Sequence, residues 1–241
     1  MTTMGKLAAA CVAVLCAFGV VAADNPFAGY AHKAKITFGG YAGESTLTNF
    51  PALVRLAEDV GGFSYADCAQ ANGGDVRFTL GDGLELASEC VKWDTTGESQ
   101  FWVRVPELTS DTVIFMVWGN ADAAKRDQRL SVWSDGYTAV WSMDNKGPAI
   151  IDVSGNGNHG SANRTLASVS GVVCTARSFS SADSDYARAG KGYDDSFSSP
   201  SFSYEGWFKA EANPSSTRSL FGYSTQDGNY KIRRPPCATF N

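Results

Sequence analysis

The sequence predicts an all-β fold, and three of its features indicate this class. Several short segments alternate apolar and polar residues with the period of two that is typical of strands. The chain of 241 residues contains 25 glycines and few helix-forming stretches, which favours a fold with many turns. Short turns, without a helical pattern, separate the candidate strands, as in β-sandwiches and barrels. We therefore expect two tandem, jelly-roll-like β-sandwich modules.

The first module is predicted to begin with two strands. Residues 34–38 (AKITF) alternate and form the first strand. Residues 51–57 (PALVRLA) form the second, which a proline enters at the edge of the sheet. Glycine-rich turns follow over residues 60–74, and we expect a loop there.

Residues 75–93 contain the strongest strand signal. In DVRFTL the apolar residues share one face, whereas Arg77 and Thr79 occupy the other. Gly-Asp-Gly at 81–83 turns the chain, and LELASECVKW returns, so this segment predicts a hairpin. Residues 101–105 (FWVRV) and 112–118 (TVIFMVW) are the next strands, and the second is apolar on both faces, as expected of a central strand.

The boundary between the modules is predicted at residues 124–136. Residues 122–129 (DAAKRDQR) carry the densest charge in the chain and suit a short helical turn or an exposed linker. The modules then cover residues 24–123 and 137–241. In the second module we expect strands at 171–179, 186–189 and 201–210.

The N-terminus has the composition of a secretory signal peptide. Lys6 precedes an apolar run of residues 7–21, and small residues follow at Val21-Ala22-Ala23. The run is shorter than the roughly 20 residues that span a bilayer, so we expect cleavage after Ala23 and no transmembrane segment in the mature chain. The mature protein is thus expected to be secreted, periplasmic or on the cell surface. A net charge of −5 without a basic patch argues against nucleic-acid binding.

Four cysteines follow the predicted leader, and an even number in an exported protein suggests disulfide bonds. Cys68 and Cys90 lie in one β-rich segment, where a bridge across neighbouring strands is one interpretation. Two unpaired, buried thiols that pack as small apolar groups are the other. Cys174, within GVVCTARSF, is interpreted as a core position.

Residues 141–160 (WSMDNKGPAIIDVSGNGNHG) are the most distinctive stretch. Three glycines and two asparagines within 152–160 indicate a tight, shaped loop, since these residues tolerate positive φ. Oxygen ligands on such loops suit calcium. The candidate ligands are Asp144, Asp152, Asn156 and Asn158. The alternative is that these side chains bond their own backbone within turns, and the same choice applies to Asp183, Asp185, Asp194 and Asp195.

Two family resemblances arise from these motifs. The order DVRFTLGDGLELASECVKW, QFWVRVPEL and DTVIFMVWGNADA resembles the domain of unknown function 2341, a bacterial module that commonly precedes a laminin-G-like domain. Residues 141–160, 177–190 (RSFSSADSDYARAG) and 202–210 (FSYEGWFKA) resemble a laminin-G/concanavalin A-like lectin or glucanase domain. The resemblances imply extracytoplasmic β-sandwiches, of which the second, at 101 residues, is expected to be a partial one.

The sequence favours binding over catalysis. Glycoside cleavage needs two carboxylates presented together, and the Glu-x-Asp-x-x-Glu strand of sandwich-fold glucanases does not occur. We therefore expect a non-catalytic carbohydrate-binding or adhesive module whose partner is a glycan or a cell-surface component. The alternatives are a structural or protein-interaction component of an envelope assembly and, less favoured, part of a glycan-degrading enzyme. Trp93, beside a polar turn, is the candidate sugar-stacking residue, whereas Trp118, Trp141 and Trp207 are interpreted as core.

Overall fold

The structure is a computed structural model, and it describes residues 26–81, 83–188 and 203–210. The predicted leader (1–23), Asp194, Asp195 and Cys237 lie outside these residues. In the described part, the strands are β1 (His32–Thr37), β2 (Leu47–Leu56), β3 (Arg77–Thr79), β4 (Glu85–Leu86), β5 (Ser88–Lys92), β6 (Ser99–Leu108), β7 (Val113–Trp118), β8 (Ala149–Ile150), β9 (Gly160–Ala162), β10 (Ala167–Ser170), β11 (Thr175–Ser178) and β12 (Ala187–Arg188).

The fold is all-β, as predicted. Within the described ranges, helix is limited to α1 (Arg129–Val132) and to three single-turn 3-10 helices at Val60–Gly62, Tyr65–Asp67 and Ala71–Gly73. Every strand pairing there is antiparallel. None of the helices in this part of the chain has the length and apolar character needed to cross a membrane.

Two sheets share one buried core. The first sheet has the order β1-β7-β3-β4 and the second the order β2-β6-β5. Ile36 and Met116 of the first sheet belong to the same apolar cluster as Val54 and Val103 of the second. An edge-to-face contact between the rings of Phe78 and Phe101, with centroids 5.4 Å apart, joins the two sheets directly. Burial of these apolar side chains is the main source of stability for this part of the chain.

The predicted central strand is central in the structure. β7 lies between β1 and β3, and its residues Ile114, Met116 and Trp118 are almost completely buried. On the other face of β7, the Lys33 ammonium lies 4.1 Å from the centroid of the Phe115 ring. Side chains therefore cover both faces of this strand, which explains its continuous apolar sequence.

The predicted hairpin of residues 75–93 is formed, but its returning strand divides. Phe78 pairs with Leu86 in the first sheet, whereas Ser88–Lys92 pairs with β6 in the second. The backbone carbonyl of Ala87, between the two parts, accepts a hydrogen bond from the N–H of Arg104. One ten-residue segment thus contributes to both sheets.

Two details of β2 and β3 differ from expectation. β2 begins at Leu47, so Pro51 lies inside the strand, where it is tolerated because β2 is at the edge of its sheet. Arg77 and Thr79, predicted on the face opposite the apolar residues of β3, are buried as well. The cost of burying the Arg77 guanidinium is offset by an ion pair with Glu85, at 3.6 Å. The guanidinium also donates hydrogen bonds to the carbonyls of Gly74, Val76 and Ala124.

The outer face of the second sheet is also covered. α1 and the residues after it form a second apolar cluster in which Val132 and Trp133 pack beside Trp102 of β6. The Trp102 and Trp133 rings meet edge to face at 5.2 Å. Of the predicted linker, residues 124–127 are exposed, whereas Val132 and Trp133 are buried.

The strands after residue 140 form two small sheets. One has the order β12-β9-β8, and the other is the two-stranded hairpin β10-β11. The prediction of one strand over 171–179 is wrong for 171–174, which form the turn of this hairpin. β10 was not predicted, because all four of its residues are exposed. The predicted strand 201–210 is also wrong for residues 203–210, which have no strand pairing. The predicted core residue Trp207 is 67% exposed.

Candidate functional site

The glycine-rich loop is organised around the carboxylate of Asp152. This side chain is buried, and its Oδ1 accepts hydrogen bonds from the backbone N–H groups of Val140 and Ser154 at 2.9 and 2.8 Å. Its Oδ2 accepts the N–H of Asn158 at 2.9 Å. The backbone N–H of Asp152 in turn donates to Nδ1 of His159 at 3.0 Å. Burial alone would raise the pKa of Asp152, but the three N–H donors outweigh it and lower the pKa below its ordinary value.

The two asparagines of the loop bind the preceding chain segment. The Asn156 amide donates to the carbonyls of Tyr137 and Thr138, and the Asn158 amide donates to that of Thr138 at 2.8 Å. The carbonyl of Asn158 accepts the indole N–H of Trp141 at 3.0 Å. These contacts hold the loop against residues 137–141.

The four residues predicted to bind calcium are only partly brought together. Asp152, Asn156 and Asn158 belong to one hydrogen-bonded loop, whereas Asp144 accepts a hydrogen bond from the hydroxyl of Ser142 at 2.7 Å. The described residues contain no group of three or more His, Cys, Asp or Glu side chains that could hold a metal ion. The contacts seen are those of the turn interpretation, and calcium binding stays a prediction.

Trp93, the predicted sugar-stacking residue, is half-buried at the rim of the first core. Its ring meets Tyr65 and Phe101 edge to face, with centroids 5.1 and 6.2 Å away. It also packs on Gly73, where a Cβ atom would come within 2.3 Å of Cζ3 of the indole. Much of the ring thus serves packing, and its role in sugar binding stays a prediction.

The cysteines in the described part of the chain are free thiols, and the bridge between Cys68 and Cys90 stays a prediction. Cys68 packs against the first core, and burial, with smaller effects of Asp75, Asp67 and Glu58, raises its pKa to about 12. Cys90 lies on the edge strand β5. Cys174, which was expected in the core, lies half-buried in the β10-β11 turn with a φ of 50°.

A buried carboxylate that the sequence did not single out joins the loop before β3 to the loop after β7. Asp75 is completely buried, and its oxygens accept the backbone N–H groups of Ala69, Gln70, Gly119 and Asn120 at 2.7–3.2 Å. Such a carboxylate satisfies backbone donors that would otherwise be buried without partners. Its contacts with Gly119 and Asn120 are non-local, which is why no spacing in the sequence indicated them.

Glu89 is a second buried acid with a structural environment. It accepts the indole N–H of Trp133 at 3.1 Å and lies 2.9 Å from Nε of Arg129, on the α1 segment that covers the sheet. Burial raises the pKa of Glu89, although Trp133 and Arg129 act in the opposite direction. Its partners Arg129 and Trp133 lie 40 and 44 residues later in the sequence, so no local pattern indicates this burial.

Asp183 and Asp185, the weaker metal candidates, pair with a cation. Nη2 of Arg164 lies 2.8 Å from Asp183, and the guanidinium also binds both oxygens of Asp185. The N–H of Ser180 donates to Asp185 at 2.8 Å. The hydrogen bonds of Arg164 and Ser180 lower the pKa of Asp185. This clamp joins the loop of residues 180–185 to the turn after β9.

One family comparison gives a match. The model of the Domain of unknown function (DUF2341) matches residues 72–138, so the chain is similar to that family over this span. The matched residues begin just before Asp75 and continue through α1 and Trp133, and therefore include the segment that covers the outer face of the second sheet. No curated protein and no solved structure gives a match to this chain.

Proposed function

We propose that this chain is an exported, non-catalytic module of the cell envelope that binds carbohydrate and so serves adhesion. The observation that carries the proposal is the exposure of Trp207, which at 67% is the most exposed large apolar side chain of the described residues. An indole face in water is a platform on which a pyranose ring can stack, and the neighbouring exposed Glu205 offers hydrogen-bond acceptors for sugar hydroxyls.

The environments of the acidic residues support binding over catalysis. Asp75 and Asp152 accept backbone N–H groups, while Glu89 and Asp185 are paired with arginines. A glycosidase needs one carboxyl group as acid and another as nucleophile or base on the same substrate. Because these carboxylates hold loops and chain segments together, they suit a rigid binding scaffold better than a catalytic pair.

The architecture that we propose for this function has two modules. The sheets β1-β7-β3-β4 and β2-β6-β5 would form one β-sandwich around their shared core, which is supported by the Phe78–Phe101 contact. Residues 137–241 would contribute to a second, laminin-G/concanavalin A-like sandwich. That second assignment is supported by the motifs of the glycine loop and of residues 202–210.

Glycan binding is tested with an array probed by the purified mature chain. We expect Trp207→Ala to remove most of the binding, because it deletes the stacking surface. Phe179→Ala is the matched control, since Phe179 is also exposed, at 47%, and its loss should leave binding unchanged. Trp93→Ala tests whether the indole of Trp93 also contributes to glycan binding. Equal binding by Trp207→Ala and the unaltered chain would contradict the proposed role of Trp207, and no binding to any glycan would contradict the function.

Export is tested separately by expressing the whole chain in a bacterial host. N-terminal sequencing of the extracytoplasmic protein should begin at Asp24, because the small residues before it form the expected cleavage site. Replacing two leucines of the apolar run, Leu7 and Leu15, with aspartate should retain the uncleaved protein in the cytoplasm. An unprocessed N-terminus in the exported fraction would contradict this assignment.

A further inference from the structure

We propose that Cys90 and Cys174 form a disulfide bond that fastens the β10-β11 hairpin to the edge of the second sheet. This pairing differs from the Cys68–Cys90 bridge that the sequence suggested. It connects a residue inside the span similar to the Domain of unknown function (DUF2341) with a residue beyond its end.

The hairpin turn is already attached beside Cys90. The buried side chain of Gln100 accepts the N–H of Cys174 at 2.8 Å and donates to the carbonyl of Val172 at 3.2 Å. In the register of the second sheet, Gln100 lies opposite Lys92, and the adjacent Phe101 lies opposite Cys90. One side chain therefore brings the turn that contains Cys174 to the end of the strand that contains Cys90.

Local backbone geometry leaves Cys90 accessible at this place. β5 is an edge strand, and its register with β6 shifts between Cys90 and Lys92, as at a β-bulge. Cys90 is exposed, and its thiol donates to the carbonyl of Lys92 at 3.5 Å, toward the position that faces Gln100. The irregular edge gives the strand room to adjust when a second sulfur approaches.

The conformation of Cys174 is set by the same attachment. Its φ of 50° lies in the left-handed region, which glycine and asparagine favour and cysteine does not. The hydrogen bond from its N–H to Gln100 and the acceptance of the Gly171 N–H by its carbonyl, at 3.1 Å, hold this conformation. Cys174 thus places a thiol at a turn position that suits glycine, and this turn is hydrogen-bonded to Gln100 of β6.

The electrostatics of the two thiols support their proximity. Although Cys90 is exposed as a residue, the chain around its thiol raises the pKa to about 11, the hydrogen bond to Lys92 lowers it, and the charges of Glu89 and Cys174 raise it further. Lys92, whose pKa is raised mainly by its hydrogen bond to Asp94, also interacts with Cys174. These effects agree with the placement of the Cys174 turn beside β5, which rests on the hydrogen bonds of Gln100.

The reaction requires a disulfide oxidant such as glutathione disulfide. One protein thiolate attacks a sulfur of the oxidant, which forms a mixed disulfide and releases one glutathione thiolate. The other protein thiolate then attacks the protein sulfur of the mixed disulfide and releases the second. Two protein thiols lose two electrons and two protons, and one glutathione disulfide becomes two glutathiones. Extracytoplasmic compartments supply oxidants of this class.

The test is a tryptic map of the mature chain after equilibration with glutathione disulfide at mildly alkaline pH. Free thiols are blocked with iodoacetamide before digestion without reductant. Cys68, Cys90 and Cys174 fall in the separate peptides 56–77, 78–92 and 165–177. We expect one linked species that contains 78–92 and 165–177, and that divides into the two peptides on reduction.

Every other pattern overturns the proposal. A link between 56–77 and 78–92 would establish the Cys68–Cys90 bridge instead, and alkylated Cys90 and Cys174 would show that no bond forms. Cys174→Ser should remove the linked species and abolish the decrease in thermal midpoint that a reductant causes in the oxidised protein. Cys68→Ser is the control and should preserve both the linked species and the decrease in thermal midpoint on reduction. Cys174→Gly, which suits the left-handed turn, tests the bond without disturbing the backbone.

Discussion

At the scale of single residues, Gly73 has a position that no other residue can occupy without displacement of Trp93. Its φ is +66°, and an added Cβ would lie 2.3 Å from the indole. Left-handed backbone costs an L-residue about 1–2 kcal/mol, and overpacking costs about 1–3 kcal/mol more. We therefore expect Gly73→Ala to lower the free energy of unfolding by about 2–5 kcal/mol, measured by urea denaturation.

Gly62→Ala is the matched control for this prediction. Gly62 has a φ of +79°, but the space around its Cβ position is open to 4 Å. Gly62→Ala should therefore lower the free energy of unfolding only by the cost of the left-handed backbone, about 1–2 kcal/mol. Equal losses in the two variants would mean that the Trp93 contact contributes nothing, and that the indole is freer to bind a ligand than its packing indicates.

Glu89 should make stability decline as the pH rises. Burial raises its pKa in the folded chain, so its contribution is complete below the unfolded value of about 4.3 and is lost as the pH rises through the folded value. Glu89→Gln lacks this titration. The free energy of unfolding of the variant, relative to the unaltered chain, should therefore increase between pH 4 and pH 8 in urea titrations. Glu107→Gln, which removes an exposed carboxyl group, is the matched control.

At the scale of elements, Asp75 joins the loop before β3 to the end of β7. Asp75→Asn replaces one carboxylate oxygen with an N–H₂ group that would face backbone N–H donors such as those of Gly119 and Asn120. Loss of charged hydrogen bonds and unpaired buried donors should together cost about 2–4 kcal/mol. Asp122→Asn, on an exposed turn of the same region, should change stability by less than about 0.5 kcal/mol.

Hydrogen exchange distinguishes this explanation from a general loss of stability. In Asp75→Asn, the amides of Ala69, Gln70, Gly119 and Asn120 should lose more protection than those of β6 do. A uniform loss across the chain would contradict the local role of the carboxylate.

The glycine loop should respond to acid in the opposite sense to Glu89. Its N–H donors lower the pKa of Asp152, so the stability it contributes is present above the unfolded value of about 3.9 and is lost as the pH falls through the folded value. We expect the stability difference between the unaltered chain and Asp152→Asn to shrink as the pH falls from 6 to 3. A difference that stays constant over this range would contradict the hydrogen-bonded role of the carboxylate.

The elements that the sequence predicted well are those whose burial is periodic. β1 and β7 alternate or are continuously apolar because they face a core, and that pattern is visible locally. β10 (ASVS) has no buried side chain and gave no signal. The division of the returning strand at Ala87 depends on its pairing with β6, which lies too far along the chain for a local pattern to reveal.

At the scale of the whole molecule, what the sequence did not reveal is mostly non-local. Asp75, Glu89 and Gln100 are polar residues that bind segments lying 44 to 74 residues away in the sequence, apart from the nearby loop N–H groups of Asp75. The loop of residues 152–160 was the reverse case. Its Asp152, Asn156 and Asn158 bond within a few residues or to the segment just before the loop, so the turn chemistry was predictable although a ligand was not.

The covering of the second sheet gives the last prediction, which concerns hydrogen exchange across the reduced mature chain. β6 and β7 should exchange slowest, since each is hydrogen-bonded on both sides and faces the shared core. Residues 129–133 should be more protected than residues 124–127, because Val132 and Trp133 are buried against Trp102 while the earlier residues are exposed. β10-β11 should exchange fastest of the sheets, because a two-stranded sheet with an exposed strand has little burial to stabilise it.

If residues 129–133 exchange as fast as 124–127, the whole of 124–136 acts as a linker and the outer face of β6 is open to solvent. In that case Glu89 would also be ionised in contact with water, and the pH trend expected for Glu89→Gln would vanish with the cover.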